Sequence, residues 1–153
     1  MYGHVADLLL EKGGQVYTVS KRASVREAVR EMNQKGVGSL LVVDDGRPVG
    51  IFTERDVLRR VVDVDRDPVF TLVVEVMTPD PRTAAPSMRI DEAIELMTKN
   101  RVRHLPVVDE GQLLGLVSIG DVLHWAMIQQ QDHIDHMTDY ITGTSPVTPP
   151  TLP

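Results

Sequence analysis

The stretch VGSLLVVDDGRPVGIFTERDVLRRV at Val37–Val61 returns 65 positions later as VRHLPVVDEGQLLGLVSIGDVLHWA at Val102–Ala126. The two copies align without a gap, and the same offset continues upstream of both. A register kept over such a length indicates that the chain is two copies of one structural unit. The residues of the first half that meet an identical residue at this offset include Thr18, Glu27, Ala28, Met32, Val37, Leu40, Val42, Val43, Asp44, Gly46, Gly50, Asp56, Val57 and Leu58.

The first unit contains a predicted helix at Ser24–Lys35, SVREAVREMNQK. Its apolar residues recur three and four positions apart, which is typical of a helix with one buried face. Ser24 and Glu27 form a capping box at its start, and Gly36 is placed to end it. A short extended segment at Val16–Val19 precedes this helix.

A hairpin and a second helix follow. Leu40–Asp44 is a short apolar strand, Asp45–Gly46 is a strong two-residue turn signal, and Pro48–Thr53 is the return strand. The next segment, Glu54–Val62, predicts a helix with an apolar side made of Val57, Leu58, Val61 and Val62. In the second unit the same pattern predicts an extended piece at Arg82–Ala84 and helices at Arg89–Lys99 and Ile119–Gln131.

These elements predict an α/β fold made of two tandem repeats. A unit of about 60 residues buries only about 60% of its unfolded surface, so it is marginally stable alone. We therefore expect the two units to pack on one another with pseudo-twofold symmetry, which creates two equivalent clefts. The predicted bounds are 5–65 for the first repeat, 69–131 for the second, 132–142 for a C-terminal helix extension and 143–153 for a disordered Pro/Thr-rich tail.

The composition of the 153-residue chain narrows the possible function classes. A formal net charge of −6 is unfavourable for a broad nucleic-acid surface, which needs clustered Lys and Arg. The absence of cysteine excludes disulfides, thiolate metal sites and cysteine nucleophiles, and it suits a cytoplasmic location. No apolar run approaches the ~20 residues of a membrane span, and Met1–Leu10 lacks the features of a signal peptide. We therefore expect neither nucleic acid nor membrane as a partner.

The two long copies, with VMTP at Val76–Pro79 ahead of the second, resemble a tandem pair of cystathionine-β-synthase (CBS) domains, a Bateman module. The resemblance covers Val5 to Tyr140. It implies two small β-sheets flanked by helices, and a homodimer in which two modules form a four-repeat disc. Family members commonly sense adenosine-containing ligands such as AMP, ADP, ATP, NAD(H) or S-adenosylmethionine. They pass the signal to an attached or separate effector protein.

Each copy places a hydroxyl residue three positions before an aspartate: Thr53 and Asp56 in the first, Ser118 and Asp121 in the second. One interpretation is purely structural, because Ser and Thr cap helix N-termini and an acid in the first turn is favourable there. The other is a nucleotide site, since an ionised carboxylate can accept both hydroxyls of a ribose and a helix start can hold a phosphate. The two interpretations are compatible, because a ligand can use an existing cap.

The resemblance implies that Asp56 and Asp121 hold the ribose in two unequal sites. The motif residues near the phosphates would be Thr53, Arg55, Ser118 and Gly120. Arg55 brings a cation to the first site, whereas its counterpart in the second site is a glycine. Arg103 and His104 are interpreted either as phosphate contacts or as a solvated charge and a side chain packed at a strand start.

The remaining predicted site residues would hold the adenine. The apolar slot, or alternatively plain core, is formed by Val37, Ile51, Val102 and Leu116. The base edge would be read by the backbone of the strand starts, namely Gly38, Ser39 and Leu40 in the first repeat and Arg103, His104 and Leu105 in the second.

The leading functional hypothesis is a non-catalytic regulatory module that binds adenine nucleotides, AMP first among them, and signals energy or redox state to a partner. The alternative is a structural protein-interaction module with no small-molecule ligand. The sequence has no Walker loop, nucleophile elbow or GxGxxG motif. We therefore predict no enzymatic activity, no catalytic residues, no catalytic cofactor and no metal site.

Overall fold

The computed structural model describes residues 3–142, so the tail predicted at 143–153 lies outside the described residues. The helices are α1 (Val5–Lys12), α2 (Val25–Lys35), α3 (Glu54–Asp56, continued by a π-helix at Val57–Val62), α4 (Val73–Val76), α5 (Ile90–Asn100) and α6 (Ile119–Thr142). The strands are β1 (Thr18–Ser20), β2 (Ser39–Asp44), β3 (Arg47–Thr53), β4 (Thr78–Pro79), β5 (His104–Asp109) and β6 (Gln112–Ser118). Strands β1 to β4 form one sheet in that order, and β5 and β6 form another. The predicted α/β class, with two small sheets flanked by helices, is confirmed.

Helix α2 begins and ends as its sequence predicts. The Oγ of Ser24 accepts a hydrogen bond from the Glu27 N–H at 3.1 Å, and the Glu27 carboxylate accepts one from the Ser24 N–H at 2.7 Å. At the other end Gly36 adopts a left-handed conformation with φ 65°, and its N–H donates to the carbonyl of Met32. The capping box and the glycine stop are both local signals, and both are confirmed.

Two equivalent tight turns close the hairpins. Asp45 and Gly46, with φ of 49° and 76°, join β2 to β3, and Glu110 and Gly111, with φ of 48° and 77°, join β5 to β6. Positive φ at both central residues is the hairpin turn whose twist matches that of the flanking strands. The turn predicted at Asp45–Gly46 is therefore confirmed, and it recurs in the second repeat.

The helix predicted over Glu54–Val62 forms, but its second half is a π-helix. The N–H of Asp63 donates to the carbonyl of Leu58 at 2.9 Å, five residues back. Val61 is buried in the core of the first repeat, whereas Leu58 and Val62 are exposed. Part of the apolar side predicted from the spacing therefore faces solvent.

The first helix of each repeat, its leading helix, packs in the core of the other repeat. Helix α1 begins the first repeat, yet its Val5 and Leu8 are buried in the core built by α5, β5, β6 and α6. Helix α4 begins the second repeat, yet its Val73 and Val76 are buried in the core built by α2, β2 and β3. The adjoining strand β4 extends the first sheet by pairing with β3. Sequence patterning predicts neither α1 nor α4, because their partners lie far away in the chain.

Helices α1 and α4 attach to the opposite repeat in the same way. The N–H of Val5 donates to the carbonyl of Met88 at 2.9 Å, and the N–H of Val73 donates to the equivalent carbonyl, that of Ala23, at 2.8 Å. The first turn of α1 is thus bonded to the segment just before α5, and the first turn of α4 to the segment just before α2. The predicted pseudo-twofold packing is confirmed, and the exchange of leading helices makes the two halves interdependent.

Gly50 in β3 and Gly115 in β6 occupy equivalent positions, and each lies against a segment from the other half of the chain. A Cβ atom on Gly115 would lie 2.7 Å from Cδ2 of Leu9, and one on Gly50 would lie 2.4 Å from Sδ of Met77. With contacts this short, a side chain fits only if the neighbouring atoms move. The glycine that both copies share is therefore explained by the close approach of a segment from the other half.

Candidate functional site

The Ser118–Asp121 motif lies where β6 ends and α6 begins. The Oγ of Ser118 accepts a hydrogen bond from the Asp121 N–H at 3.1 Å, and Oδ2 of Asp121 accepts one from the Ser118 N–H at 2.8 Å. This reciprocal pair is a capping box with Asp in place of the usual Glu or Gln. It fixes the Asp121 carboxylate at the helix start, where its side chain remains 27% exposed.

Lys12, the last residue of α1, contacts the same carboxylate. Its Nζ donates to Oδ2 of Asp121 at 2.5 Å and to the carbonyl of Leu116 at 2.9 Å. Burial by itself would raise the pKa of Asp121, but the hydrogen bonds from Lys12 and Ser118 outweigh it and hold this pKa below its ordinary value. The carboxylate is therefore ionised at neutral pH and can only accept hydrogen bonds.

A cavity of about 360 Å³ lies at this carboxylate, between the two repeats. Its volume is within the range of small-molecule sites. The lining combines apolar side chains with one carboxylate and one ammonium group, which suits a ligand with an apolar ring and polar substituents. The lining residues are Lys12, Gln15, Val16, Tyr17, Val37, Gly38, Ser39, His104, Leu116, Ser118 and Asp121.

His104 enters the cavity from the start of β5, opposite Ser118 in the strand pair. Burial is the main cause that lowers the pKa of His104; the charge of Lys12 lowers it further, and Asp121 acts in the opposite direction. The imidazole is therefore neutral at pH 7. It offers the cavity one hydrogen-bond donor and one acceptor rather than a positive charge.

A smaller cavity of about 130 Å³ adjoins the ion pair and shares Lys12 and Asp121 with the larger one. The indole Nε1 of Trp125 is buried beside it and has no hydrogen-bond partner within the part of the chain that the structure describes. Gly3 lies directly over this indole, since a Cβ there would come within 2.9 Å of Nε1. The other residues of the smaller cavity are Leu8, Glu11 and His124.

Asp56, the counterpart of Asp121, has a different environment. Its Oδ2 accepts hydrogen bonds from the N–H and the hydroxyl of Thr53 at 2.9 and 3.2 Å. Its Oδ1 lies 3.7 Å from Nε of Arg60 on the same helix, and its side chain is 9% exposed. The capping interpretation therefore applies directly to Asp56, whose carboxylate is paired within its own helical segment.

The predicted site residues divide between the larger cavity and other positions. Those that line it are Val37, Gly38, Ser39, His104, Leu116, Ser118 and Asp121. Those outside its lining are Ile51, Thr53, Arg55, Asp56, Val102, Arg103 and Gly120. Val102 packs against the core of the second repeat, and Arg55, Arg103 and Gly120 are exposed. The cavity thus joins the strand start of one repeat to the helix start of the other.

Sequence reasoning missed the contribution of the end of α1 and of the segment that joins it to β1. The helix end supplies Lys12 to the cavity, and the joining segment supplies Gln15, Val16 and Tyr17. It lies there because α1 packs on the second repeat while β1 belongs to the first, so the connection passes between them. A signal was present in Gly13–Gly14, since a glycine pair is typical of a helix end followed by a change of direction.

The described part of the chain has no features of a metal centre or of a membrane span. The side chains that the structure describes, which exclude those at positions 133, 136 and 138–142, include no group of three or more His, Asp or Glu that could hold a metal ion. In the same part of the chain, no helix is both long and apolar enough to cross a membrane.

The sequence matches the family model of the CBS domain twice, at residues 5–63 and 73–128. Among curated proteins, it is 34% identical over 148 residues to the mitochondrial CBS domain-containing protein CBSX3 of Arabidopsis thaliana. That match covers 91% of this chain and 72% of the plant protein.

Solved structures show the same relationship. A signal-transduction protein with CBS domains from Burkholderia ambifaria has 44% sequence identity to this chain and a TM-score of 0.77. The match covers 84% of this chain and 96% of that protein. A CBS domain protein of Pyrobaculum aerophilum, complexed with AMP, is 27% identical with a TM-score of 0.69, over 78% of this chain and 89% of that one. The chain belongs to the CBS-domain family, as a tandem pair of its domains.

Proposed function

We propose that this chain is a non-catalytic regulatory module that binds an adenosine-containing nucleotide in the cavity between its repeats. The observation that carries the proposal is the ionised, partly exposed carboxylate of Asp121 in a cavity whose other residues come from both halves. AMP is the first candidate, because the Pyrobaculum relative is complexed with AMP. ATP, ADP, NAD(H) and S-adenosylmethionine are the further candidates.

Each part of a nucleotide has a chemically suitable partner in this cavity. The Asp121 carboxylate can accept the ribose hydroxyls through charge-assisted bonds. The side chains of Val37 and Leu116 offer apolar surface to the adenine, and the strand start at Gly38 offers backbone groups to its edge. The ammonium of Lys12 supplies a positive charge for the phosphate. The equivalent cleft around Asp56 remains a second proposed site.

The proposed output is a change in the arrangement of the two repeats. A ligand in this cavity contacts both halves, so it stabilises whichever relative position it fits best. We propose that a separate effector protein in the cytoplasm responds to that shift. The Arabidopsis relative is described as mitochondrial, so fractionation of the native cell decides the location of this chain.

The ribose role of Asp121 is tested by titrating AMP, ADP, ATP and NADH into the wild-type protein and into Asp121→Ala by isothermal calorimetry. We expect the variant to bind the preferred nucleotide at least about tenfold more weakly, because it loses charge-assisted bonds to the sugar. Thermal unfolding of both proteins should be measured without ligand, since the substitution also removes a helix cap.

Glu27→Ala is the matched control for the lost cap. Glu27 accepts the Ser24 N–H in a capping box of the same kind, and it does not line the cavity. We expect this control to bind as the wild type does, and Asp56→Ala reports separately on the first cleft. Equal affinity of wild type and Asp121→Ala for every nucleotide would refute the proposed site. A wild type that gains no thermal stability from any nucleotide would favour the interaction module without a ligand.

We further propose that the protein is a homodimer that buries the exposed apolar side chains of the two helix faces. Leu58 and Leu123 are exposed and occupy equivalent positions of the two repeats, as do Val62 and Met127. Pseudo-twofold related apolar positions suit a symmetric contact in which both repeats take part. Exposed apolar residues that recur at equivalent sites favour an interface over random scatter.

The dimer is tested by light scattering after size exclusion, where we expect a mass near twice the 17.0 kDa of the chain. The double substitution Leu58→Glu and Leu123→Glu is expected to give a monomer, because it places charges in the proposed contact. Leu10→Glu is the control, since Leu10 is also exposed but lies on α1. A monomeric wild type, or a double variant that stays dimeric, would contradict this interface.

A further inference from the structure

The Oδ2 atom of Asp121 has no acceptor capacity left. It accepts one hydrogen bond from Nζ of Lys12 and one from the N–H of Ser118, and a carboxylate oxygen has two lone pairs. The bond from Ser118 is part of the cap that starts α6. A ribose diol that is to engage both oxygens of Asp121 therefore needs Lys12 to leave Oδ2.

Lys12 is placed so that it can leave. It ends α1, and Gly13 follows with φ 88°, so the backbone departs from the helix immediately after it. Its side chain is partly exposed and lies on a four-carbon stem with rotatable bonds. Both cavities at this site are lined by Lys12, so its ammonium has space on either side of its present position.

We propose that Lys12 competes with the sugar for Asp121, and that a phosphate of the ligand offsets the ion pair which the sugar breaks. Lys12 then discriminates between ligands: a nucleotide gives the displaced ammonium a new anionic partner, and an uncharged nucleoside does not. This inference rests on the proposed function, and it adds a phosphate requirement to that site. It also ties ligand binding to α1, whose Leu8 belongs to the core of the second repeat.

The cleft that contains Asp56 has no lysine at the position equivalent to Lys12. Met77 takes the place of Leu9 above the equivalent glycine, and counting three residues on from each leads to Asp80 where the other segment has Lys12. A carboxylate at that position neither pairs with Asp56 nor attracts a phosphate. The competition between a lysine of α1 and the sugar is therefore confined to the cleft that contains Asp121, whereas the Asp56 carboxylate contacts Thr53 and Arg60 of its own segment.

The experiment compares the affinities of AMP and adenosine, by calorimetry at low salt, for the wild type, Lys12→Met and Lys12→Arg. For Lys12→Met we expect adenosine to bind about fivefold more tightly, because no ion pair has to be broken. We expect AMP to bind that variant about tenfold more weakly, because its phosphate loses a charge-assisted bond. The ratio of the AMP affinity to the adenosine affinity then falls by more than an order of magnitude, and Lys12→Arg keeps it near the wild-type ratio.

Lys99→Met is the matched control, since Lys99 also lies in the last turn of a helix but does not line the cavity. Its ratio should equal that of the wild type, and circular dichroism should show that all variants are folded. If AMP binds and Lys12→Met leaves the ratio unchanged, or weakens both ligands equally, Lys12 is a purely structural contact and this inference is overturned. If neither ligand binds the wild type or any variant, the proposed function itself fails.

Discussion

Replacing Leu8 with alanine is expected to lower the free energy of unfolding by about 2–5 kcal/mol, the cost of leaving a cavity in a packed core. Leu8 is 3% exposed, and it packs among residues of α5, β5, β6 and α6 although it lies at the start of the first repeat in the chain. Denaturant unfolding followed by circular dichroism measures this loss. Hydrogen exchange should show that β5 and β6 lose more protection than β2 and β3.

Leu10 is the matched control on the same helix. Its side chain is 85% exposed, so we expect Leu10→Ala to change the free energy of unfolding by no more than about 0.5 kcal/mol. Equal effects of the two substitutions would contradict the packing of α1 in the second repeat. A loss of exchange protection confined to β2 and β3 would contradict it as well.

The second large effect is expected for Gly50→Ala, which should destabilise the protein by about 1–3 kcal/mol through overpacking. The new Cβ would lie 2.4 Å from Sδ of Met77 and 2.9 Å from the carbonyl oxygen of Thr78. The methionine can rotate away, but Thr78 is held in the pairing of β4 with β3. We therefore expect the backbone contact to set most of the cost, as measured by denaturant unfolding.

Alanine substitutions at two other glycines should destabilise the protein less than Gly50→Ala. At Gly115 the nearest atoms belong to the flexible side chain of Leu9, so Gly115→Ala should cost less than Gly50→Ala. At Gly14 the nearest atom is the carbonyl oxygen of Leu114 at 3.6 Å, an ordinary contact, so Gly14→Ala should be tolerated. A Gly50→Ala protein as stable as Gly14→Ala would show that β4 does not approach β3 as closely as described.

The parts of the fold that the sequence predicts are those set by neighbouring residues. The cap at Ser24, the stop at Gly36 and the turn at Asp45–Gly46 each depend on residues within four positions. The duplication adds the long-range fact that two such units pack together. Periodicity does not distinguish a residue that faces the core from one that faces solvent beside it, which is why Leu58 and Val62 join the predicted apolar side.

The parts that the sequence does not predict depend on contacts between distant segments. Nothing near Val5 or Val73 in the chain indicates that their helices pack in the opposite repeat. Lys12 and Asp121 are separated by 109 positions, so no spacing rule connects them. The family resemblance pointed to Asp121 as a residue of the site, but the difference between its environment and that of Asp56 required the three-dimensional arrangement.

The indole of Trp125, whose Nε1 is buried, has a practical consequence. The chain contains a single tryptophan, and its ring lies beneath Gly3 and beside the lysine that ends α1. Its fluorescence therefore comes from one known position, where the N-terminal segment meets the last helix. A red shift of emission, or easier quenching by acrylamide, would report the departure of that segment in real time and without a label.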